Sequence, residues 1–116
     1  MSIKSIVEKY NKQADFMTEH KIPASVVEAA EKLAQLFKDN KIDGYDIIPA
    51  STGELYFDWD TETLSFGVAI ASETKATFEY LHKKVNEDSY VEAYDLSDKD
   101  DVTELITVIS DILYGV

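Results

Sequence analysis

The sequence predicts an α+β domain in which an antiparallel meander of four or five strands carries two N-terminal helices and one C-terminal helix packed on one face. Two observations lead to this fold. Apolar residues recur at helical spacing before Gly44 and after Ser97, whereas they alternate with polar residues between these positions. The 116 residues suit one domain, 1–116, and the 45% apolar content supports a core without a metal or disulfide.

Helical spacing begins at the N-terminus. A first helix is predicted from Ser2, its N-cap, to about Asn11 or slightly beyond, with a polar connection at Thr18–Lys21. A second helix is predicted to start at Ser25, because Glu28 three residues later completes a capping-box pattern. Its apolar stripe comprises Val26, Ala29, Ala30, Leu33, Leu36 and Phe37.

After the Asp43-Gly44 turn the apolar period changes from 3.6 to 2 residues. Strands are predicted at Tyr45–Ser51, at Glu54–Asp60 and at Thr63–Ala71. Pro49 assigns the first of them to an edge or a bulge, because proline cannot donate a ladder hydrogen bond.

The second and third strands form a predicted hairpin whose register follows from its apolar faces. A four-residue loop, Asp60–Thr63, brings the large apolar residues of both strands to one side. The predicted facing pairs are Trp59 with Leu64, Phe57 with Phe66, and Leu55 with Val68.

Residues Lys75–Lys83 fit two structures. As a strand after the Ser72–Thr74 turn they place Ala76, Phe78, Tyr80 and His82 on the core face; as a helix they use Phe78, Leu81 and Val85. The alternation favours the strand.

The C-terminal part holds one more strand and a helix. Ser89–Leu96 alternates around Tyr90, Val91 and Tyr94 and is a predicted fifth strand after Asn86-Glu87-Asp88. Ser97 or Asp98 caps the last helix, whose first turn is rich in aspartate. Its apolar stripe comprises Val102, Leu105, Ile106, Ile109, Ile112 and Leu113.

Charge limits the range of partners. All eleven basic residues are lysine, 23 residues are acidic, and the net charge is −12. Arginine, whose planar fork holds two phosphate oxygens at once, is absent, which argues against direct binding of nucleic acid or an anionic membrane. Residues 1–41 hold seven lysines and six acids, whereas residues 42–116 hold four lysines and seventeen acids. The acidity therefore belongs to the second part of the molecule.

Other features exclude whole classes of chemistry. The chain has no cysteine, which removes disulfides, thiolate nucleophiles and cysteine-based metal sites. Its N-terminal segment lacks the apolar core of a signal peptide, and no apolar run reaches the length of a membrane span, so we expect a cytoplasmic protein. His20 and His82 are isolated, and neither a nucleophile motif nor a phosphate loop is present. We expect no enzymatic activity and no cofactor.

A carboxylate cluster offers an alternative. Asp58 and Asp60 share one face of a predicted strand, with Glu62 in the following loop, and such groups can hold Mg²⁺ or Ca²⁺ or share acid–base work. The calcium-loop spacing fails, since Thr63 stands where glycine is required and Ala69 where glutamate is required. A solvated acidic edge is the favoured interpretation, and no metal site is predicted.

Tyrosines stand among these acids. Tyrosine supplies a large contact area at a small entropic cost and is enriched at protein interfaces, although it also fills the margins of sheets. An acidic surface with tyrosines suits a basic protein partner. The predicted contact set is Tyr56, Asp58, Asp60, Glu62, Tyr90, Glu92 and Asp95.

The hairpin resembles a pattern in small uncharacterised bacterial and phage proteins over about residues 45–82. The matching residues are Pro49, Gly53, Leu55, Phe57, Trp59, Leu64, Phe66, Val68 and Ile70. In size and charge the chain is similar to phage anti-defence proteins, including anti-CRISPR proteins, which occupy the nucleic-acid-binding surface of a target. This resemblance implies a protein inhibitor. The alternatives are an immunity protein or antitoxin against a basic toxin, a metal enzyme using Asp58, Asp60 and Glu62, and a structural or dimerisation domain.

Overall fold

A computed structural model describes residues 2–17, 21–82 and 89–115. Each strand pairs antiparallel with its neighbours in sequence, giving one sheet of order β1-β2-β3-β4-β5. The predicted α+β meander is confirmed, and residues 75–82 form the strand that the alternation favours. The elements are α1 (Ile3–Met17), α2 (Ala24–Asp39), β1 (Asp46–Pro49), β2 (Leu55–Asp60), β3 (Leu64–Ile70), β4 (Lys75–His82), β5 (Tyr90–Asp95) and α3 (Lys99–Tyr114).

Helix α1 is longer than the sequence predicts. Its N-terminus is confirmed, because the Ser2 hydroxyl accepts a hydrogen bond of 3.1 Å from the Ser5 N–H, but the helix continues past Asn11 to Met17. Asn11 binds both backbone groups of Ile22, accepting from its N–H at 2.9 Å and donating to its carbonyl at 3.3 Å. This contact ties α1 to the chain that enters α2. The predicted connection at residues 18–20 lies outside the described residues.

The predicted capping box of α2 is wrong. The N-cap is Pro23, in an extended conformation, and no side chain caps the helix. The Pro23 carbonyl accepts from the N–H groups of Val26 and Val27 at 3.1 and 3.2 Å. Since proline presets its own φ for the turn into the helix, α2 begins at Ala24 and Ser25 already lies inside it.

The core lies between the helices and one face of the sheet. Phe37 of α2 is fully buried, and its ring meets the rings of Phe57 and Trp59 edge-on at centroid distances of 5.1 and 5.7 Å. Leu36, which the predicted stripe includes, is instead 37% exposed. The largest fully buried side chains are Phe37, Phe57, Phe78, Leu55, Ile70, Leu105, Ile109, Val26 and Val68.

The register of the β2–β3 hairpin differs from the prediction by two residues. The Thr61 N–H donates to the Leu64 carbonyl at 2.8 Å, and the Leu64 N–H donates to Thr61 Oγ1 at 3.0 Å. This tighter turn lengthens the hairpin, and a shift of two keeps every apolar residue on the predicted face. The observed facing pairs are Trp59 with Phe66, Phe57 with Val68, and Leu55 with Ile70.

Helix α3 follows the prediction closely. Asp98 is its N-cap, with Oδ1 accepting from the Asp100 N–H at 2.9 Å. Leu105, Ile106 and Ile109 are buried. The predicted turn at residues 86–88 lies outside the described residues, as does the side chain of His82. None of the helices in the described ranges has the length and apolar content that crossing a bilayer requires.

The C-terminus of α2 contains a lysine in a conformation that favours glycine. The Ile42 N–H donates to the Phe37 carbonyl at 2.8 Å and the Lys41 N–H to the Lys38 carbonyl at 3.1 Å, which is a Schellman motif. Lys41 has φ +59°, in the left-handed region. Its carbonyl also accepts a hydrogen bond from the Tyr114 hydroxyl at the end of α3.

We expect Lys41→Gly to raise the free energy of unfolding by about 0.5–1 kcal/mol, because glycine adopts positive φ without steric cost and keeps the carbonyl. Lys38→Gly is the matched control: it lies inside α2 and should lower the free energy of unfolding by about 1 kcal/mol. Urea unfolding of the three proteins measures both changes. Destabilisation by Lys41→Gly would contradict the assigned backbone strain.

Candidate functional site

The two faces of the sheet have different surroundings. Side chains that alternate toward the helices, such as Phe57, Val68 and Phe78, are fully buried. The opposite face is called here the open face, since the three helices pack on the other side. Its strand residues are Asp46, Ile48, Tyr56, Asp58, Asp60, Ser65, Gly67, Ala69, Lys75, Thr77, Glu79, Leu81, Val91, Ala93 and Asp95.

A row of acidic residues crosses the open face. Asp46 of β1 faces Asp58 of β2, Asp58 faces Gly67 of β3, and Gly67 faces Glu79 of β4. Carboxylates directly opposite each other on a sheet repel and destabilise the folded state. The register therefore brings Asp46, Asp58 and, across Gly67, Glu79 into one line on the open face.

Gly67 leaves a hollow in the middle of this row. A Cβ atom at residue 67 would lie 2.5 Å from the Phe57 carbonyl oxygen and 3.5 Å from a carboxylate oxygen of Asp58, so glycine is required for this close approach. The hollow has a volume of about 390 Å³ and is open to solvent. Side chains of Tyr56, Asp58, Glu79, Leu81 and Val91 are among those that line it.

The pKa of Tyr56 reflects the burial of its phenol and the negative charge around it. Burial raises the pKa of its phenol above the ordinary value, and the neighbouring carboxylates Glu54 and Glu79 raise it further. Both carboxylates therefore lie close enough to Tyr56 to disfavour a second negative charge. Lys75 supplies the one lysine among the strand residues of the open face.

Large apolar side chains are exposed beside the acids. Ile48 is 45%, Leu81 43% and Val91 67% exposed, and the register places all three on the open face. They come from three different strands and flank the acidic row. Leu81 and Val91 lie on the neighbouring strands β4 and β5 and can form one apolar patch, whereas Ile48 lies on β1 at the opposite edge of the sheet. A contiguous apolar patch rimmed by polar residues is typical of a protein-interaction site.

The structure places the residues of the predicted contact set on both faces of the sheet. Tyr56, Asp58 and Asp60 lie together on the open face, with Glu62 exposed in the adjoining turn. Tyr90 and Glu92 face Tyr80 and Phe78, which places them on the helix side of the sheet. The alternation of β5 therefore places Tyr90 and Glu92 on the opposite side of the sheet from Tyr56, Asp58 and Asp60, although Tyr90 also borders the hollow beside Gly67.

Asp95 lies at the end of β5 and has a local structural role. One carboxylate oxygen accepts hydrogen bonds from the hydroxyl and the N–H of Ser97, at 2.6 and 2.9 Å. These two hydrogen bonds hold the pKa of Asp95 below its ordinary value, and the bond from the hydroxyl has the larger effect. The side chain thus shapes the turn into α3.

The helix side of β5 carries a second group of acids and tyrosines. Tyr90 stacks on Tyr80 with ring centroids 5.3 Å apart, and the Tyr94 hydroxyl donates to Glu92 Oε2 at 3.2 Å. Burial raises the pKa of Tyr94 to about 12, with further contributions from the charge of Glu92, its hydrogen bond and the charge of Glu104. Negative charge is therefore present on both sides of this strand.

Several residues of the open face are missing from the predicted contact set, namely Asp46, Ile48, Glu79, Leu81 and Val91. The sequence itself indicates the position of two of them. Because side chains alternate along a strand, Glu79 and Leu81 must point away from the core if Phe78 and Tyr80 point toward it. The cross-strand position of Asp46 depends on the β1–β2 register, which local periodicity does not specify.

The structure also bears on the metal alternative and on relationships to other proteins. Across residues 2–17, 21–82 and 89–115, no group of three or more His, Asp or Glu side chains is arranged to hold a metal ion. Asp58, Asp60 and Glu62 are therefore neighbours along the chain without forming such a group. Comparisons of the chain with protein-family models, with curated proteins and with solved structures found no match.

Proposed function

We propose that this protein is a non-enzymatic binding module whose open face docks on a basic surface of another protein. One observation carries the proposal: the uncovered face combines a cross-strand row of carboxylates with exposed Ile48, Leu81 and Val91. Apolar contacts supply affinity at an interface, and complementary charge supplies orientation and partner choice.

The charge distribution favours a cationic partner. The chain carries a net charge of −12, and residues 42–116 hold seventeen of its 23 acids against four lysines. A surface of one sign raises the rate of encounter with a surface of the opposite sign, and salt screens this effect. Binding should therefore weaken as ionic strength rises.

In its sharper form, the proposal makes the protein an inhibitor that occupies the nucleic-acid-binding surface of its target. Asp58 and Asp60 are two residues apart on one strand, hence about 6.8 Å apart along it, a spacing similar to that of successive phosphates. Carboxylates on paired strands are held in fixed positions. They can therefore compete for the lysine and arginine side chains that otherwise contact nucleic acid.

Site-specific photo-cross-linking in a lysate identifies the partner. A photoreactive amino acid is placed at Ile48, on the open face, or at Leu36, which is exposed on α2. We expect a basic protein to be linked from position 48 and absent from position 36. Equal labelling from both positions would remove the open face as the docking surface.

Replacing the three acids of the row by amides tests how much their charges contribute to the affinity for the purified partner. We expect the triple variant to bind at least about tenfold more weakly, a loss of about 1.4 kcal/mol, and to show a smaller salt dependence. Interferometry at two salt concentrations measures both quantities, and release of labelled DNA from the partner tests the sharper form. The substitutions are Asp46→Asn, Asp58→Asn and Glu79→Gln.

A matched control separates local charge from net charge. It neutralises three exposed glutamates on α1 and α2, so that the net charge changes by the same amount. An equal loss of affinity in both triple variants would contradict the proposal, because the open face would then contribute no more than any other surface. The control substitutions are Glu8→Gln, Glu28→Gln and Glu31→Gln.

A further inference from the structure

The outer edge of β5 is an exposed strand edge. The sheet order ends at β5, and no strand of the described residues lies beyond it. Residues 90–93 are exposed, with Val91 at 67%, whereas Tyr94 is buried against the core. A strand edge presents backbone N–H and C=O groups that a further strand can pair with.

The ladder shows which backbone groups point outward. The Leu96 N–H donates to the Thr74 carbonyl at 2.7 Å, in the same register as the β4–β5 ladder. Since hydrogen-bonding direction alternates along an antiparallel strand, Tyr94 also faces β4 while Val91 and Ala93 face away. The Asp95 N–H confirms this alternation, because it points outward and is bound by an Asp101 carboxylate oxygen at 2.8 Å.

The two edges of the sheet differ in the length and composition of their strands. Strand β1 has four residues and ends in Pro49; α1 contacts β1, as α3 contacts β5. Strand β5 has six residues, contains neither proline nor lysine, and pairs with β4 without a bulge from Lys75–Asp95 to Tyr80–Tyr90. Short length, proline, lysine and bulges are the usual devices that prevent strand addition. At the Asp95 end of β5 the outward N–H is already bound by Asp101, whereas residues 91–93 have none of these devices and form the part of the edge that can be extended.

The side chains along β5 define what could pair with it. Val91 and Ala93 point to the open face and are apolar. Glu92 points to the helix side, where it faces Phe78 of β4 and accepts a hydrogen bond from the Tyr94 hydroxyl. Because side chains of an added strand would alternate in the same way, one side of it meets Val91 and Ala93, and the other meets the Glu92 carboxylate and the exposed ring of Tyr90.

We propose that the outer edge of β5 accepts, as a sixth strand, an extended segment of a basic partner protein in which apolar residues alternate with lysine or arginine. The inference rests on the proposed function for the sign of the partner's charge, and it adds a mode of binding in which main-chain hydrogen bonds contribute affinity. A second copy of this chain fits less well, because β5 offers Glu92 and no cation, and each copy carries a charge of −12.

Ala93→Pro tests the edge directly. The Ala93 N–H points away from β4, so proline leaves the native ladder intact while its ring blocks an incoming strand. The probe is a fluorescent seven-residue peptide of alternating lysine and valine, with capped ends; a peptide of the same composition in blocks of lysine and valine is its control. We expect Ala93→Pro to weaken binding of the alternating peptide at least about tenfold, and Ala93→Thr to leave it unchanged.

Amide exchange gives a readout that needs no substitution. Added peptide should slow exchange of the Val91 and Ala93 amides in the wild-type protein, since these groups gain hydrogen-bond partners. Unchanged exchange at both positions would overturn the inference even if Ala93→Pro failed to fold.

The outcomes separate this inference from the proposed function. If the peptide still binds Ala93→Pro but no longer binds the variant with a neutralised acidic row, the peptide lies on the open face. This result overturns strand addition and leaves the proposed function standing. The reverse result supports strand addition and removes the open face from the proposed function. A wild-type dimer that Ala93→Pro converts to a monomer in light scattering would make a second copy the occupant and overturn the basic partner.

Discussion

Phe37→Ala is expected to lower the free energy of unfolding by about 3–5 kcal/mol, a large fraction of the about 5–15 kcal/mol that stabilises a domain of this size. Phe37 is fully buried and makes edge-on contacts with the rings of Tyr45, Phe57 and Trp59. Alanine removes all three contacts and leaves a cavity where α2 meets β2. Urea unfolding followed by circular dichroism measures the loss.

Leu36→Ala is the matched control for this substitution. Leu36 is the preceding residue of the same helix, and it is 37% exposed. Its replacement should cost less than about 1 kcal/mol, because little apolar surface returns to water. Similar losses from the two variants would mean that α2 packs on the sheet through a different face from the one described.

Gly67→Ala is expected to lower the free energy of unfolding by about 2–3 kcal/mol. The new Cβ would lie 2.5 Å from the Phe57 carbonyl oxygen, so the β2 and β3 backbones would have to separate. Because Gly67 faces both Asp58 and Glu79, the same movement would change the spacing of the two carboxylates. Partner binding should therefore weaken along with stability.

Ser65→Ala controls for this effect. Ser65 lies on the same strand and the same face, next to Asp60, and should tolerate the change to within about 0.5 kcal/mol. Thermal unfolding and partner titration of both variants compare them directly. Full stability of Gly67→Ala would show that β2 and β3 do not approach as closely as described.

Much of the fold could be predicted from local patterns. Alternation identified the strands, and the aspartates before Val102 identified the start of α3, since both signals reside in neighbouring residues. The hairpin register could not be predicted, because a shift of two residues satisfies the same apolar faces and Thr61 decides between them through its side-chain hydrogen bond. Likewise, Pro23 and the capping-box pattern at Ser25 both favour a helix start, and proline prevails.

The candidate site was only partly predictable. Asp58 and Asp60 are two residues apart on a strand, so their common face follows from the sequence. The row from Asp46 to Glu79 requires three strands in register, and the separation of Glu92 from that row requires knowing which residues of β5 face the core. These are contacts between distant parts of the chain, which periodicity within one strand does not specify.

The order of the strands has a consequence for how the chain folds. Every strand pairs only with its neighbours in sequence, and β2, β3 and β4 are joined by short connections. Closing a short loop costs little entropy, so the contact order of the sheet is low and each hairpin can form before the next begins. We infer that the sheet grows from the β2–β3 hairpin outward, and that the docking of α1 on β1 and of α3 on β5 follows it.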